Sequence, residues 1–286
     1  MAPVPVEVEE ALARDFEPSP SPVGAEGIVS MLTTRVDGAY LDRAGPQLRV
    51  VANYAVGVNN VDLRAAAERG VIVANTPDVL TRATAELAVG LMLALLRRIV
   101  EGDRFVRRRD EWGFSLEFML GASLDRKRLL VVGPGRIGQE TARLAEAFGA
   151  RPFFAGRDTE LGAALADADV VSLHVPLTPE TRHLIDAAAL AAMQPSAILV
   201  NTARGPVVDE RALVDALRAG TIAGAALDVY EREPEVEEGL LELDNVVLTP
   251  HIGSATRDTR VAMGMLCVDA LRAVLLEGRR PANTVG

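Results

Sequence analysis

Short apolar runs alternate with stretches of helical periodicity along nearly the whole of this 286-residue chain. That alternation is the sequence form of a parallel-sheet α/β protein. Toward the N-terminus the pattern predicts strands at 27–31, 49–53 and 71–74, with a helix over 61–69 closed by Gly70. From 81 to 109 it predicts one long helix. The middle of that helix (Leu87, Ala88, Val89, Leu91, Met92, Leu93, Leu95 and Leu96) is apolar on nearly every side, so most of its faces should be buried. A second series of strands is predicted at 129–132, 151–155, 170–175, 197–200, 224–229 and 246–249. Helices are expected over 139–148, 187–193 and 209–219, the last stopped by Gly220, and again from 251 to 276.

One turn in this pattern carries chemistry. Gly133-Pro-Gly135-Arg136-Ile137-Gly138 follows the strand at 129–132 and opens the next helix. A G-x-G-x-x-G run in that strand-turn-helix context is the dinucleotide fingerprint of a Rossmann domain. The first glycine allows the tight turn, the second lets backbone approach a pyrophosphate, and the third permits close helix–strand packing. Arg136, Ile137 and the neighbouring amides then lie at a helix N-terminus, where the dipole favours an anion.

Length favours two domains over one core. Net charge is −10, and no basic domain emerges, which argues against a nucleic-acid partner. The longest apolar run, 87–96, is far short of the ~20 residues of a membrane span. Cys267 is the single cysteine, so no disulfide framework exists. With no signal-peptide pattern at the start, the expected setting is cytoplasmic. No metal site is expected.

Three segments near the C-terminus hold the remaining candidates: Asn201-Thr202-Ala203-Arg204-Gly205, Asp228-Val-Tyr-Glu-Arg-Glu233-Pro234, and Thr249-Pro250-His251-Ile-Gly253-Ser254. Arg204, at the carboxyl end of a strand, can grip a carboxylate bidentately. His251 can exchange a proton near neutral pH, and a carboxylate beside it, assigned to Glu233, favours the protonated ring. His251 is read as starting a helix after Pro250. Of the other two histidines, His174 is expected to pack near the cofactor and His183 to sit exposed in a polar helical stretch.

In this order, downstream of the glycine fingerprint, the segments resemble the D-2-hydroxyacid dehydrogenases, from about Ile28 to the C-terminus. The glyoxylate and hydroxypyruvate reductases are most similar, through Tyr54-Ala-Val-Gly57, Thr81-Arg-Ala-Thr-Ala-Glu86 and Pro250-His-Ile-Gly-Ser-Ala-Thr256. The resemblance implies an α/β fold with parallel sheets. Residues 81–254 would form the dinucleotide-binding Rossmann domain. Residues 1–80 and 255–286 would form a discontinuous, flavodoxin-like substrate domain.

It also implies reduction of a small 2-oxo acid, glyoxylate or hydroxypyruvate, to the D-2-hydroxy acid by hydride transfer from NAD(P)H. Arg204, Glu233 and His251 would be catalytic. The backbone amides of Val56 and Gly57, with Arg204, His251 and Ser254, would bind substrate. Gly133, Gly135, Arg136, Ile137, Gly138, Gly156, Arg157, Pro176, Thr202, Ala203, Asp228 and Gly253 would contact the cofactor. A homodimer formed through the cofactor domains is expected. NADP(H) should be preferred to NAD(H), since Gly156-Arg157 stands where an NAD-binding domain places an acid. Two alternatives share the scaffold: formate dehydrogenase, whose relatives carry glutamine where Glu233 stands, and a cofactor-sensing corepressor of the C-terminal-binding-protein type.

Two departures from the family pattern are evident. Its opening strand looks missing or shortened, because this chain begins with Met-Ala-Pro-Val-Pro. The 157–169 stretch is short, so a small strand and part of a helix are expected to be lost beside the adenosine pocket.

Overall fold

A computed structural model describes residues 4–285. The chain forms two compact units. One takes in the chain up to Thr81 together with everything from Ser254 onward; the other runs from Arg82 to Gly253.

The first unit begins with helix α1 (Val6–Asp15), and no strand precedes it among the described residues. Strands β1 (Gly27–Ser30), β2 (Val50–Asn53) and β3 (Ile72–Ala74) pair in parallel in that order. Helices α2 (Gly38–Ala44) and α3 (Leu63–Glu68) connect them, each started by an aspartate, Asp37 or Asp62, that accepts a first-turn amide.

The second unit holds a six-stranded, all-parallel sheet. Its chain order is α4 (Thr81–Leu96), α5 (Ile99–Arg107), β4 (Arg128–Val132), α6 (Arg136–Glu146), β5 (Arg151–Ala155), α7 (Leu161–Ala166) and β6 (Val170–Leu173). Then come α8 (Ala187–Ala192), β7 (Ile198–Asn201), α9 (Glu210–Ala219), β8 (Gly224–Leu227), α10 (Glu238–Leu241) and β9 (Val246–Leu248). The chain then re-enters the first unit through α11 (Arg257–Leu275) and a two-residue strand, β10 (Thr284–Val285). There β10 adds antiparallel to β3, so the parallel order expected of that sheet stops at its edge. Glu7 and Asp15 of α1 pair with Arg257 and Arg272 of α11.

In the larger sheet, alternate strand residues serve two cores. Leu130, Leu173 and Leu199 face Leu165, Leu190 and Leu213 of α7–α9. On the other side, Leu129, Val131, Val170 and Val200 meet Leu91 and Met92 of α4 and Ala142 and Ala145 of α6. Each fully buried leucine stabilises the fold by roughly 1.5–3 kcal/mol, more than the ~1 kcal/mol of a typical helix cap. Caps set where these helices begin, and burial keeps them folded. The strands run β5-β4-β6-β7-β8-β9, so chain direction along the sheet reverses between β4 and β6. Ligands of open α/β sheets bind at the carboxyl ends of the strands at such a switch point.

Three expectations are corrected. The helix predicted over 81–109 is two helices, because Arg98 takes a left-handed conformation at φ 53°. The Leu96 carbonyl accepts the Ala122 amide instead of continuing the ladder. His251 does not start a helix: it lies in a left-handed turn at φ 53°, and α11 begins only at Arg257, capped by Thr256. His183 is not helical either; its turn, at φ 50°, donates the backbone amide to Pro206 and pairs the ring with Glu231.

Candidate active site

β7 delivers Arg204. Asn201, at the end of that strand and buried, folds the next residues back: its Oδ1 accepts the Ala203 amide and its Nδ2 donates to the Arg204 carbonyl. Gly205 then packs directly on the Tyr230–Glu231 peptide, where a Cβ would overlap backbone atoms. This contact needs glycine and brings the arginine loop against the segment that carries Glu233. Burial lowers the Arg204 pKa, and the Glu233 charge opposes that fall.

β8 delivers Asp228 and Glu233. Glu233 precedes a cis peptide bond to Pro234. Its Oε1 accepts the Tyr230 amide at 3.1 Å, and its Oε2 lies 2.8 Å from His251 Nδ1. Burial alone would raise the Glu233 pKa. The hydrogen bond and charge of His251, the Tyr230 amide and the charge of Arg204 outweigh that and lower it. The pair is therefore built around an ionised carboxylate. With Nδ1 engaged by Glu233, Nε2 is the nitrogen left to face a reactant.

The His251 turn is held from below by Asp228, which is 1 % exposed. Its backbone carbonyl accepts the His251 amide. One carboxylate oxygen accepts the Thr249 hydroxyl and the Ile252 amide; the other accepts the Gly253 amide. A buried carboxylate without partners would be heavily penalised, and three donors offset that cost. Tyr230 adds a strut, its hydroxyl donating to the carbonyls of Thr249 and Leu227. The sequence reading gave Asp228 a cofactor role and Tyr230 none. The geometry makes both supports of the histidine turn, and the only sequence signal for Tyr230 was its place between Asp228 and Glu233.

The fingerprint glycines occupy the positions their chemistry needs. Gly133 has φ 99° and faces the His174 carbonyl, 2.7 Å from where a Cβ would stand. Gly138 packs on the Gly133 carbonyl and Val131, whereas nothing lies within 4 Å of a Cβ at Gly135. The first intrahelical bond of α6 runs from Gln139 N–H to the Gly135 carbonyl, so the amides of Arg136, Ile137 and Gly138 precede the ladder. Beside this turn, burial drives the His174 pKa down to about 4, and its Nε2 pairs with the Ser172 hydroxyl at 2.9 Å. A neutral histidine there adds no charge to an anion site. Thr202 Oγ1, past the end of β7, is buried without a protein partner. Open space over Gly135, first-turn amides and an orphaned hydroxyl at the carboxyl edge of a parallel sheet fit a dinucleotide.

Gly156 follows β5 and exchanges two bonds with Thr159 in an exposed turn: its amide donates to Thr159 Oγ1, and its carbonyl accepts the Thr159 amide. Arg157 and Pro176 are also exposed, and Ala203 is buried. Val56, Gly57 and Ser254 belong to the other unit.

The D-isomer specific 2-hydroxyacid dehydrogenase family model for the NAD binding domain matches residues 89–253. A glyoxylate reductase of Thermococcus litoralis is 46% identical over 277 residues, spanning 91% of this chain and 83% of that protein. The chain belongs to the D-isomer specific 2-hydroxyacid dehydrogenases. A glyoxylate reductase of Pyrococcus furiosus is 49% identical over 259 residues, covering 84% of this chain and 76% of its own. Among solved structures, a Thermus thermophilus protein superposes with a TM-score of 0.91 at 43% identity, covering 99% of this chain and 97% of that one. An NADPH-dependent glyoxylate/hydroxypyruvate reductase of Sinorhizobium meliloti, solved with NADP and malonate, gives 0.86 at 35% identity, covering 99% and 94%. The dehydrogenase thus uses a nicotinamide cofactor. No helix of its described residues is long and apolar enough to cross a membrane.

Proposed function

We propose that this dehydrogenase reduces glyoxylate or hydroxypyruvate to the D-2-hydroxy acid, with NADPH preferred to NADH. The observation that carries the reading is the 2.8 Å contact between Glu233 and His251, with Arg204 close enough that its charge lowers the Glu233 pKa. The similarity to glyoxylate reductases supports the choice of substrate.

On the turn that Gly133 allows, the amides of Gly135, Arg136, Ile137 and Gly138 would hold the cofactor pyrophosphate, with Pro176, Thr202, Ala203, Asp228 and Gly253 along the rest of the molecule. Arg157 would bind the 2′-phosphate by charge-assisted hydrogen bonds, and Gly156 brings no acid to repel it. When bound, the reduced nicotinamide supplies the hydride that reaches the keto carbon. Arg204 holds the substrate carboxylate and polarises the ketone oxygen. The Val56 and Gly57 amides take the carboxylate, and Ser254 contacts the substrate. His251 gives its Nε2 proton to the ketone oxygen as that oxygen becomes a hydroxyl. Glu233 holds the ring in place and stabilises the imidazolium before transfer.

The proposal includes a cytoplasmic homodimer. Supporting the dimer, α5 has no buried residue, and Trp112, Phe114 and Leu116 beyond it are 64%, 90% and 82% exposed. A free buried thiol, Cys267, suits a reducing compartment. Steady-state assay of glyoxylate, hydroxypyruvate and larger 2-oxo acids with each reduced cofactor tests the reading. Turnover of the two small acids with NADPH is expected; binding of cofactor without turnover of any 2-oxo acid would overturn it.

A further inference from the structure

The turn at 55–58 leaves the carboxyl edge of the β1-β2-β3 sheet with every one of its peptide planes tied from the sheet side. The Ala55 carbonyl accepts the Thr76 amide at 3.0 Å. The Val56 carbonyl accepts Asn75 Nδ2 at 2.8 Å, and the Gly57 carbonyl accepts Asn53 Nδ2 at 2.8 Å. A trans peptide is planar, with its N–H pointing opposite to its C=O. Among the described residues the one cis bond is Glu233–Pro234, so these three peptides are trans. Pinning three successive carbonyls toward the sheet therefore turns the amides of Val56, Gly57 and Val58 the other way. No acceptor among the described residues meets those three amides, and all three residues are partly exposed.

The two asparagines are themselves held in the orientation this requires. Asn53 is fully buried, and its Oδ1 accepts both the Ser30 hydroxyl at 2.9 Å and Asn60 Nδ2 at 3.0 Å. Two donors on the oxygen fix which end of the amide is nitrogen, so only Nδ2 can face Gly57. Asn75 is clasped through its backbone: its amide donates to the Asn283 carbonyl, and Asn283 Nδ2 donates to its carbonyl. Asn283 lies just before β10, so the C-terminal strand braces this asparagine.

From this geometry we infer that Asn53 and Asn75 are positioning residues that preset a three-amide anion site at Val56, Gly57 and Val58 for the substrate carboxylate. The inference rests on the proposal that this turn binds that carboxylate, and it adds the Val58 amide and the two asparagines. Successive N–H groups aimed at one point form a concave anion-binding nest, and fixing them in advance removes the cost of ordering them on binding. An aspartate in either position keeps the shape but cannot donate, and its charge repels the carbonyl it faces.

The test combines steady-state kinetics with amide resonances of protein labelled with ¹⁵N-glycine and ¹⁵N-valine, using oxalate as the carboxylate probe in the presence of NADPH. In the unsubstituted protein, oxalate is expected to move the Gly57 and Val58 resonances. In Asn75→Asp, and in Asn53→Asp if that more buried variant folds, those shifts should be lost. KM for glyoxylate and the oxalate inhibition constant should rise together by about tenfold or more, the scale of one lost oriented hydrogen bond. NADPH affinity should not change, which separates positioning from general destabilisation. If oxalate moves the resonances equally in the variants and KM is unaltered, the positioning role is overturned and the nest stands. If oxalate moves neither resonance in the unsubstituted protein, the nest itself is overturned.

Discussion

Gly205 lies flat against the backbone of Tyr230, with no room for a methyl group between them. This contact sets the spacing of the arginine loop from the segment that ends in Glu233. Gly205→Ala should push the two apart, because the neighbour is peptide backbone and not a pliant side chain. A displacement of about 1 Å at a reacting group can cost on the order of a hundredfold. We expect kcat/KM for glyoxylate to fall by about that factor, with a lower melting temperature, in paired kinetic and thermal measurements. Wild-type kinetics would mean that the spacing is not set there.

The second prediction concerns pH. The pairing of Glu233 with His251 needs the ionised carboxylate, so it is present above the lowered Glu233 pKa and is lost as pH falls through it. Glu233 is held ionised chiefly by His251, against its own burial. Glu233→Gln cannot ionise, so kcat/KM at neutral pH should fall by about tenfold, equivalent to about 1.4 kcal/mol of lost pairing, and the variant should lack the wild type's loss of activity below the ordinary carboxylate range. A variant that keeps wild-type kcat/KM at neutral pH, or that shows the same acid-side loss, would contradict the pairing.

How much of this was legible in sequence depends on how local the cause is. The Gly133, Gly135 and Gly138 requirement is written in three glycines and one apolar strand, and the structure places each where its motif role requires. Arg204, Glu233 and His251 were visible as residue types at strand ends, and the fold brings them to one edge of one sheet. The conformation of the His251 turn was not visible. It depends on Asp228, a residue distant in sequence, whose backbone carbonyl takes the His251 amide and whose carboxylate takes the Ile252 and Gly253 amides. The break at Arg98 was hidden for the same reason, since the Leu96 carbonyl is claimed by Ala122. His183 looked like a surface residue because its partner, Glu231, was read only as part of an acidic loop. Asn53 and Asn75 carried no motif at all; their function follows from which carbonyls they face.

A third prediction follows from the turn after β5. Arg157 is exposed there, beside Gly156 and Thr159. Charge-assisted hydrogen bonds are worth about 1.5–3 kcal/mol, so Arg157→Ala should weaken NADPH binding by about 10- to 100-fold and leave NADH nearly unaffected. Fluorescence titration of both reduced cofactors against wild type and variant measures this. Tighter use of NADH by the wild type, or an equal loss for both cofactors, would refute the assignment.

The central claim is that His251 protonates the ketone oxygen, and single-turnover and steady-state kinetics of His251→Ala with glyoxylate and NADPH test it most directly. The side chain is 30% exposed and makes its hydrogen bond to Glu233, so its removal should leave the fold standing. Loss of a general acid lowers turnover by about 10²–10⁴-fold. That loss, with NADPH affinity nearly unchanged, is the predicted result. Turnover within a few-fold of wild type would contradict the account.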